Sequence, residues 1–286
     1  MLRSGGAGAE KQPATWRFLQ AISANTNFTM EKGKWYRVHV YGKSGDGGYT
    51  HTGNIQDVYG TGGAGGGGSG GYACSILMEK RGAVVPCTVS AAITSFGSYL
   101  SATAGGNGAS VDTSAQTSAG GAGGAGGSAS GGNQVNTNGF AGGAGGGTAY
   151  VNYNWRGSAG ARGGNSGGNG GADGSANPGA NYNYLRNTAG GGGGGARLPI
   201  SPYTGVMGAI GAGGLGGKCS VEYEGDSDTN HFYNGSPGNT PPAWSATSPP
   251  TLYGGGGGAG GAIDRKTVGG STGTPGLIII EVGGDQ

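Results

Sequence analysis

Two kinds of segment alternate along this chain. The first is built from β-branched and aromatic residues set against polar ones. Tyr36, Val38 and Val40 alternate with Arg37 and His39, the period of two that a half-buried strand produces. The same kind of pattern predicts three hairpins. Asn27 to Glu31 would pair with Lys34 to Gly42 across Lys32-Gly33, and Tyr72 to Lys80 with Val84 to Ser90 around Arg81-Gly82. Ile93 to Phe96 would pair with Tyr99 to Thr103 around Gly97-Ser98. At the far end, Leu277, Ile278, Ile279 and Ile280 form a continuous apolar run, the mark of a strand buried on both faces. The two ends of the chain are therefore expected to meet in one small antiparallel sheet region.

The second kind of segment is glycine with a spacing close to three. Gly62, Gly65, Gly68 and Gly71 form one row, and Gly120, Gly123 and Gly126 another, with Gly121, Gly124 and Gly127 beside it. Gly157, Gly160 and Gly163 follow, then Gly205, Gly208, Gly211, Gly214 and Gly217, and finally Gly254, Gly257 and Gly260 beside Gly255, Gly258 and Gly261. Three residues per turn is the period of the extended left-handed helix without internal hydrogen bonds. Where a facing row has no Cβ, backbones approach closely, and each N–H and C=O finds a partner on the neighbouring segment. Ordering so much glycine is entropically costly, so such a bundle needs an apolar cap. The fold class expected is mostly β and irregular: a bundle of polyglycine type II helices, capped by a small antiparallel β-sheet region, with essentially no α-helix. Residues 27–104 with 275–286 read as the β-rich base, 105–274 as the glycine bundle with aromatic loops, and 1–26 as an N-terminal attachment segment.

Composition sharpens this reading. Glycine supplies 76 of the 286 residues, about 27% against a usual ~7%, and each interior glycine costs a helix roughly 1 kcal/mol relative to alanine. Sixteen basic against 14 acidic side chains leave a net charge of +2, with no basic stripe to displace counterions from nucleic acid. No run of about 18 apolar residues is present to span a membrane. Met1 to Lys11 has no apolar core of a secretory signal.

Candidate chemistry is mostly a by-product of composition. G-x-S-x-G occurs at Ser69, Ser166 and Ser271, but a nucleophile elbow requires a following helix and His and acid partners. Around Gly216-Gly217-Lys218-Cys219 a phosphate loop lacks its leading glycine, replaced by Ala212, and its final hydroxyl, replaced by Cys219. Glu222, Glu224, Asp226, Asp228 and Asn230 imitate the start of a calcium loop, yet its glycine position is His231 and its twelfth is Pro237. A solvated acidic loop is the preferred reading. His39, His51 and His231 have no metal-ligand spacing. Cys74, Cys87 and Cys219 are an odd set read as free thiols, with a Cys74–Cys87 bridge the lesser alternative. The expectation is a non-enzyme without cofactor or metal.

The stretches between glycine blocks carry a different vocabulary. Tyr150, Tyr153 and Trp155 recur with Asn152 and Asn154, and Tyr182 and Tyr184 with Asn181 and Asn183. Tyr203 directly follows Pro202, and Tyr233 and Trp244 lie in the long loop from Lys218 to Tyr253. Tyr, Trp, Asn, Ser and Gly on loops give rigid contact area with adaptable hydrogen bonding. Pro199, Pro202, Pro237, Pro241, Pro242, Pro249 and Pro250 would stiffen those loops and lower the entropy lost on binding. Tyr153, Trp155, Tyr182, Tyr184, Tyr203, Tyr233 and Trp244 are accordingly the candidate receptor-binding residues. The plainer alternative is that these aromatics are lids over glycine segments.

Taken together, the arrangement resembles the glycine-rich adhesins and tail-tip proteins of bacteriophages and prophages. The matching residues are Val38 to Gly48, Gly70-Gly71-Tyr72-Ala73-Cys74, the repeated Gly-Gly-Ala-Gly-Gly blocks, and Gly276 to Glu281. The resemblance implies a polyglycine bundle at a fibre tip, with loops at one end recognising a bacterial surface receptor, protein or glycan. It also implies phage tail or fibre proteins as partners, room for a homo-oligomer, and synthesis in the host cytoplasm without a signal peptide. Neither nucleic acid nor membrane insertion is expected. The alternative is a glycine-rich structural protein whose unpaired edges join chains into extracellular filaments or matrix.

Overall fold

The computed structural model describes residues 12–52, 64–113, 120–145, 148–151, 154–157, 185–187, 221–223, 267–268 and 272–284. Among these residues there is no helix, and the regular elements are all strands. In chain order they are β1 (Trp16–Ile22), β2 (Thr26–Met30), β3 (Trp35–Tyr41), β4 (Thr50–Thr52), β5 (Tyr72–Met78) and β6 (Ala83–Val89). There follow β7 (Ile93–Phe96), β8 (Leu100–Thr103), β9 (Val111–Thr113), β10 (Ala129–Ser130), β11 (Val135–Thr137) and β12 (Thr148–Val151). The last are β13 (Asn154–Gly157), β14 (Leu185–Asn187), β15 (Val221–Tyr223), β16 (Thr267–Val268) and β17 (Leu277–Gly283).

Ten of them make two facing antiparallel sheets, ordered β1-β17-β3-β5-β11 and β10-β8-β7-β6-β2. The apolar run of the sequence sits inside the first sheet, where β17 is flanked by β1 and β3 and its Leu277 to Val282 are buried throughout. Between the sheets lie Phe28, Met30, Tyr36, Val38, Val40, Val85, Phe96, Leu100, Ile278 and Ile280. Phe28 meets Tyr36 edge-on at 5.6 Å and Phe96 at 5.9 Å between ring centroids. These aromatics tie the two layers together. Each buried large side chain contributes on the order of 1.5–3 kcal/mol through area removed from water.

Two of the three predicted hairpins are corrected. β7 and β8 do form one, turning at Gly97 with φ 53°. β2 instead pairs with β6, while β3 pairs with β17 and β5. Likewise β5 and β6, the arms of the second expected hairpin, lie in different sheets. Alternation fixes which face of a strand is apolar but leaves its partner open. Here Phe28 on one strand and Tyr36 on the next must reach the same core from opposite layers. The chain therefore crosses between sheets at Gly33 (φ 80°) and Gly82 (φ 89°), left-handed positions that glycine occupies without steric cost. Inside the segment read as an attachment arm, β1 is an edge strand of the first sheet, paired with β17 through a register shift between Phe18 and Gln20. Cys74 and Cys87 are both free, on opposite faces: Cys87 is in the inter-sheet core and Cys74 on the outer side of the first sheet.

Above the sandwich, glycine segments pack side by side with hydrogen bonds recurring at every third residue. Gly42, Gly45 and Gly48 donate N–H to the carbonyls of Gly71, Gly68 and Gly65. Gly65, Gly68 and Gly71 donate to Ala109, Gly106 and Thr103, which donate in turn to Ala122, Ala125 and Ser128. Gly139, Gly142 and Gly145 donate to Gly127, Gly124 and Gly121. Residues 64–71 are the axis, bonded to four neighbouring segments and buried throughout. A Cβ added at Gly65, Gly68 or Gly71 would collide with the carbonyl oxygen of Ala122, Ala125 or Ser128. Burial follows the same period: Gly105, Gly108 and Val111 are buried in one segment, and Gly121, Gly124 and Gly127 in the next.

Candidate functional site

The bundle has a polarity, and the polarity follows from chain continuity. Residues 42–49 leave β3, 64–71 return into β5, and 104–110 leave β8. Residues 120–128 return into β10, 138–145 leave β11, and 272–276 return into β17. Every described glycine segment is thus rooted in the sandwich at the same end. Their other ends carry all the longer connections. Three of those ends run on into short strands that pair: β4 with β9 in parallel and β4 with β16 antiparallel. Residues 146–271, which hold all seven candidate receptor-binding residues, are anchored at Gly145 and Thr272 on this far end.

Of those candidates, Trp155 lies in β13, where it stands opposite Tyr150 of β12. Tyr153, Tyr182, Tyr184, Tyr203, Tyr233 and Trp244 lie outside the described residues, as do the polyglycine rows from 160 onward, the acidic residues Glu224, Asp226 and Asp228, and Cys219. Glu222 belongs to β15, opposite Arg186 of β14.

Side-chain oxygens complete the lattice where the backbone offers no acceptor. Asp46 N–H donates to Asn107 Oδ1 at 2.9 Å, Tyr49 N–H to Ser110 Oγ at 3.2 Å, and Phe140 N–H to Ser69 Oγ at 2.7 Å. Asp46 in turn accepts from the N–H of Gly273 at 2.9 Å and from Lys43 Nζ at 3.2 Å, which ties the returning segment to the first one. Ser69, one of the G-x-S-x-G serines, is a buried lattice plug and not an exposed elbow. A shallow crevice beside it, lined by Tyr72, Thr137, Asn138 and Phe140, is too tight for a small molecule.

A second cluster sits on the outer face of the first sheet. His39 Nε2 donates to Glu281 Oε2 at 3.0 Å, and Nδ1 shares a hydrogen bond of 3.0 Å with the Tyr72 hydroxyl. Arg37 Nε also donates to Glu281 Oε2, and the guanidinium lies 4.9 Å from the centre of the Trp16 ring. The Glu281 carboxylate is fully buried, and its Oε1 has no hydrogen-bond partner. Burial works against charge on the His39 ring, but Cys74 and Glu281 beside it outweigh that and raise its pKa from 6.5 to about 9. The arrangement compensates charge across three strands, β3, β5 and β17. Cys74, opposite His39 in the β3–β5 pairing, acts on the same ring together with Tyr72 and Glu281. In the core, burial pushes the Cys87 thiol up to about 11, against a hydrogen bond from the Phe28 backbone that lowers it. The sequence hinted at this cluster only through an acid placed directly after Ile280; its partner His39 lies 242 residues earlier.

Among the described residues no group of three or more His, Cys, Asp or Glu is placed to hold a metal ion. Nor do the described residues include a helix long and apolar enough to cross a membrane. No protein-family model matches the chain, and no curated protein matches it significantly.

Proposed function

We propose that the chain is a non-enzymatic adhesin at the tip of a phage tail or tail fibre. It would recognise a bacterial surface receptor through the aromatic loops of residues 146–271. The observation that carries this reading is the polarity of the bundle: the first and last strands, β1 and β17, belong to the sandwich, while the Tyr-, Trp-, Asn- and Pro-rich stretch is anchored at the opposite end. A rigid scaffold with its variable loops gathered at one end is how recognition surfaces are built. A lattice held by backbone bonds leaves those loops free to change without touching a core.

The filament reading draws less support. Extending the lattice from chain to chain requires outward rows of glycine. Among the described residues the exposed rows instead carry Asn107 and Ser110, then Ala122, Ala125 and Ser128, then Asn138, Ala141 and Ala144, and the exposed glycines Gly106 and Gly126 already face a neighbouring segment. Each Cβ keeps a second backbone at a distance, in the way protected sheet edges resist pairing. Electron microscopy of the purified chain should accordingly show discrete particles.

The functional test is a paired measurement on Trp155→Ala and Trp244→Ala. Interface energy concentrates in a few aromatic anchors, and truncating one costs roughly 2 kcal/mol or more of binding. At least one variant should lose binding to host cells while both keep the wild-type melting temperature. Loss of stability in both, with binding scaling to the folded fraction, would make these aromatics lids and end the recognition proposal.

A further inference from the structure

The end of the sandwich away from the bundle has its own chemistry. Four turns with a left-handed glycine lie there, at Gly33, Gly82, Gly97 and Gly131. The first two are stitched together: Gly33 N–H donates to the Glu79 carbonyl at 2.6 Å, and Glu79 N–H donates to the Lys34 carbonyl at 3.0 Å. The first strand begins and the last one ends at this level, with Trp16 opposite Gly283.

These two joined turns hold Glu31, Lys32, Lys34, Glu79, Lys80 and Arg81. Both carboxylates are already engaged. Glu31 pairs with Lys34 at 2.7 Å, and Glu79 Oε1 accepts the N–H groups of Arg81 and Gly82 at 2.8 and 2.9 Å. Lys32, Lys80 and Arg81 are exposed, and among the described residues none of them has a carboxylate within ion-pair distance. Directly after the second turn, Val84 is 64% exposed on a strand face otherwise lined there by Thr29 and Pro86. Three cations with no carboxylate partner among the described residues therefore stand on a hydrogen-bonded, sterically fixed platform, next to an apolar side chain left in water.

We infer that this end of the sandwich is a docking surface for an acidic protein partner, whose carboxylates meet Lys32, Lys80 and Arg81 while an apolar side chain covers Val84. If the adhesin reading holds, that partner is the fibre component that carries the chain; the charge argument itself does not depend on that reading. Charge complementarity selects the occupant. A nucleic acid would require a longer basic stripe to release counterions along its backbone. Three cations at fixed points beside an exposed valine suit discrete carboxylates with an apolar centre, the mixed character of a protein interface.

The test uses the full chain with a short poly-glutamate peptide, a short DNA duplex and phosphatidylglycerol vesicles as probes. Wild type, Lys32→Gln/Lys80→Gln/Arg81→Gln and the corresponding triple Glu variant are compared at low and at physiological salt. The residues are exposed turn positions, so melting temperatures should be unchanged, and that is measured first. Wild type should bind the peptide in preference to DNA and vesicles. The Gln variant should weaken peptide binding about tenfold, and the Glu variant should abolish it. Peptide binding by the Gln variant at wild-type strength, or tighter binding of DNA or vesicles than of the peptide, overturns the inference. Binding to host cells is read on the same proteins. If wild type fails to bind cells, the adhesin proposal falls while the docking surface stands on its peptide result.

Discussion

The sandwich and the glycine bundle are made from alternating stretches of one chain, yet they are held by opposite means. In the sandwich, Phe28, Tyr36, Phe96, Leu100 and Ile280 fill the space between two sheets, and stability comes from apolar area removed from water. In the bundle the few buried side chains are small, such as Ala64, Ser44, Ser69 and Thr274. Gly65, Gly68 and Gly71 put bare backbone against Ala122, Ala125 and Ser128, and hydrogen bonds at every third residue satisfy what would otherwise be buried unpaired amides. One region is damaged by removing atoms, the other by adding them. The bundle loses the most conformational entropy per residue on ordering. Rooting each segment in a strand of the sandwich offsets part of that loss, because one end of every segment is already fixed.

The sharpest way to break this comparison is to substitute alanine at one position in each region. Phe96→Ala should destabilise the chain by about 3–5 kcal/mol through the cavity left between the sheets. Gly68→Ala, which adds a single methyl, should cost about 1–3 kcal/mol because its new neighbour is the Ala125 carbonyl and cannot rotate away. Thermal or denaturant unfolding reads both, and a neutral Gly68→Ala would mean the segments are not in backbone contact.

A titration sharpens the comparison from the side of the sandwich, since the buried charge cluster of Arg37, His39 and Glu281 belongs to it. His39 has its pKa raised to about 9 in the fold against 6.5 for a free side chain. Its contribution is fully present below pH 6.5 and is lost as pH rises through 9. The melting temperature should therefore fall across that window, and His39→Gln should flatten the fall. A smaller effect is expected at the bundle rim. Asn107→Ala leaves the Asp46 N–H without its side-chain acceptor, which should cost about 1 kcal/mol, less where water reaches the exposed site.

Much of this organisation was legible beforehand, for identifiable reasons. Glycine rows at 65, 68, 71 and 121, 124, 127 announce a three-residue period without any knowledge of partners. The run Leu277 to Ile280 announces a strand covered on both faces. Hairpins were harder: the alternation at Tyr36, Val38 and Val40 fits pairing with β2 as well as with β17 and β5, and only the shared core decides. β1 escaped because Trp16, Phe18 and Leu19 do not alternate cleanly across the register shift at Phe18 and Gln20. The His39–Glu281 contact joins residues from the two ends of the chain, so no local pattern contains it. Of the candidate site, the position of its anchors came from the alternation of outgoing and returning segments, which composition alone does not order.

Amide hydrogen exchange tests the central claim most directly, since it reads both regions in one sample. The account predicts that Gly65, Gly66, Gly68, Ser69 and Gly71, whose N–H groups all donate to neighbouring segments, exchange as slowly as Val38 and Val40 in the sheet. Exchange of these glycines at the rate of an unstructured chain, while Val38 and Val40 stay protected, would contradict it.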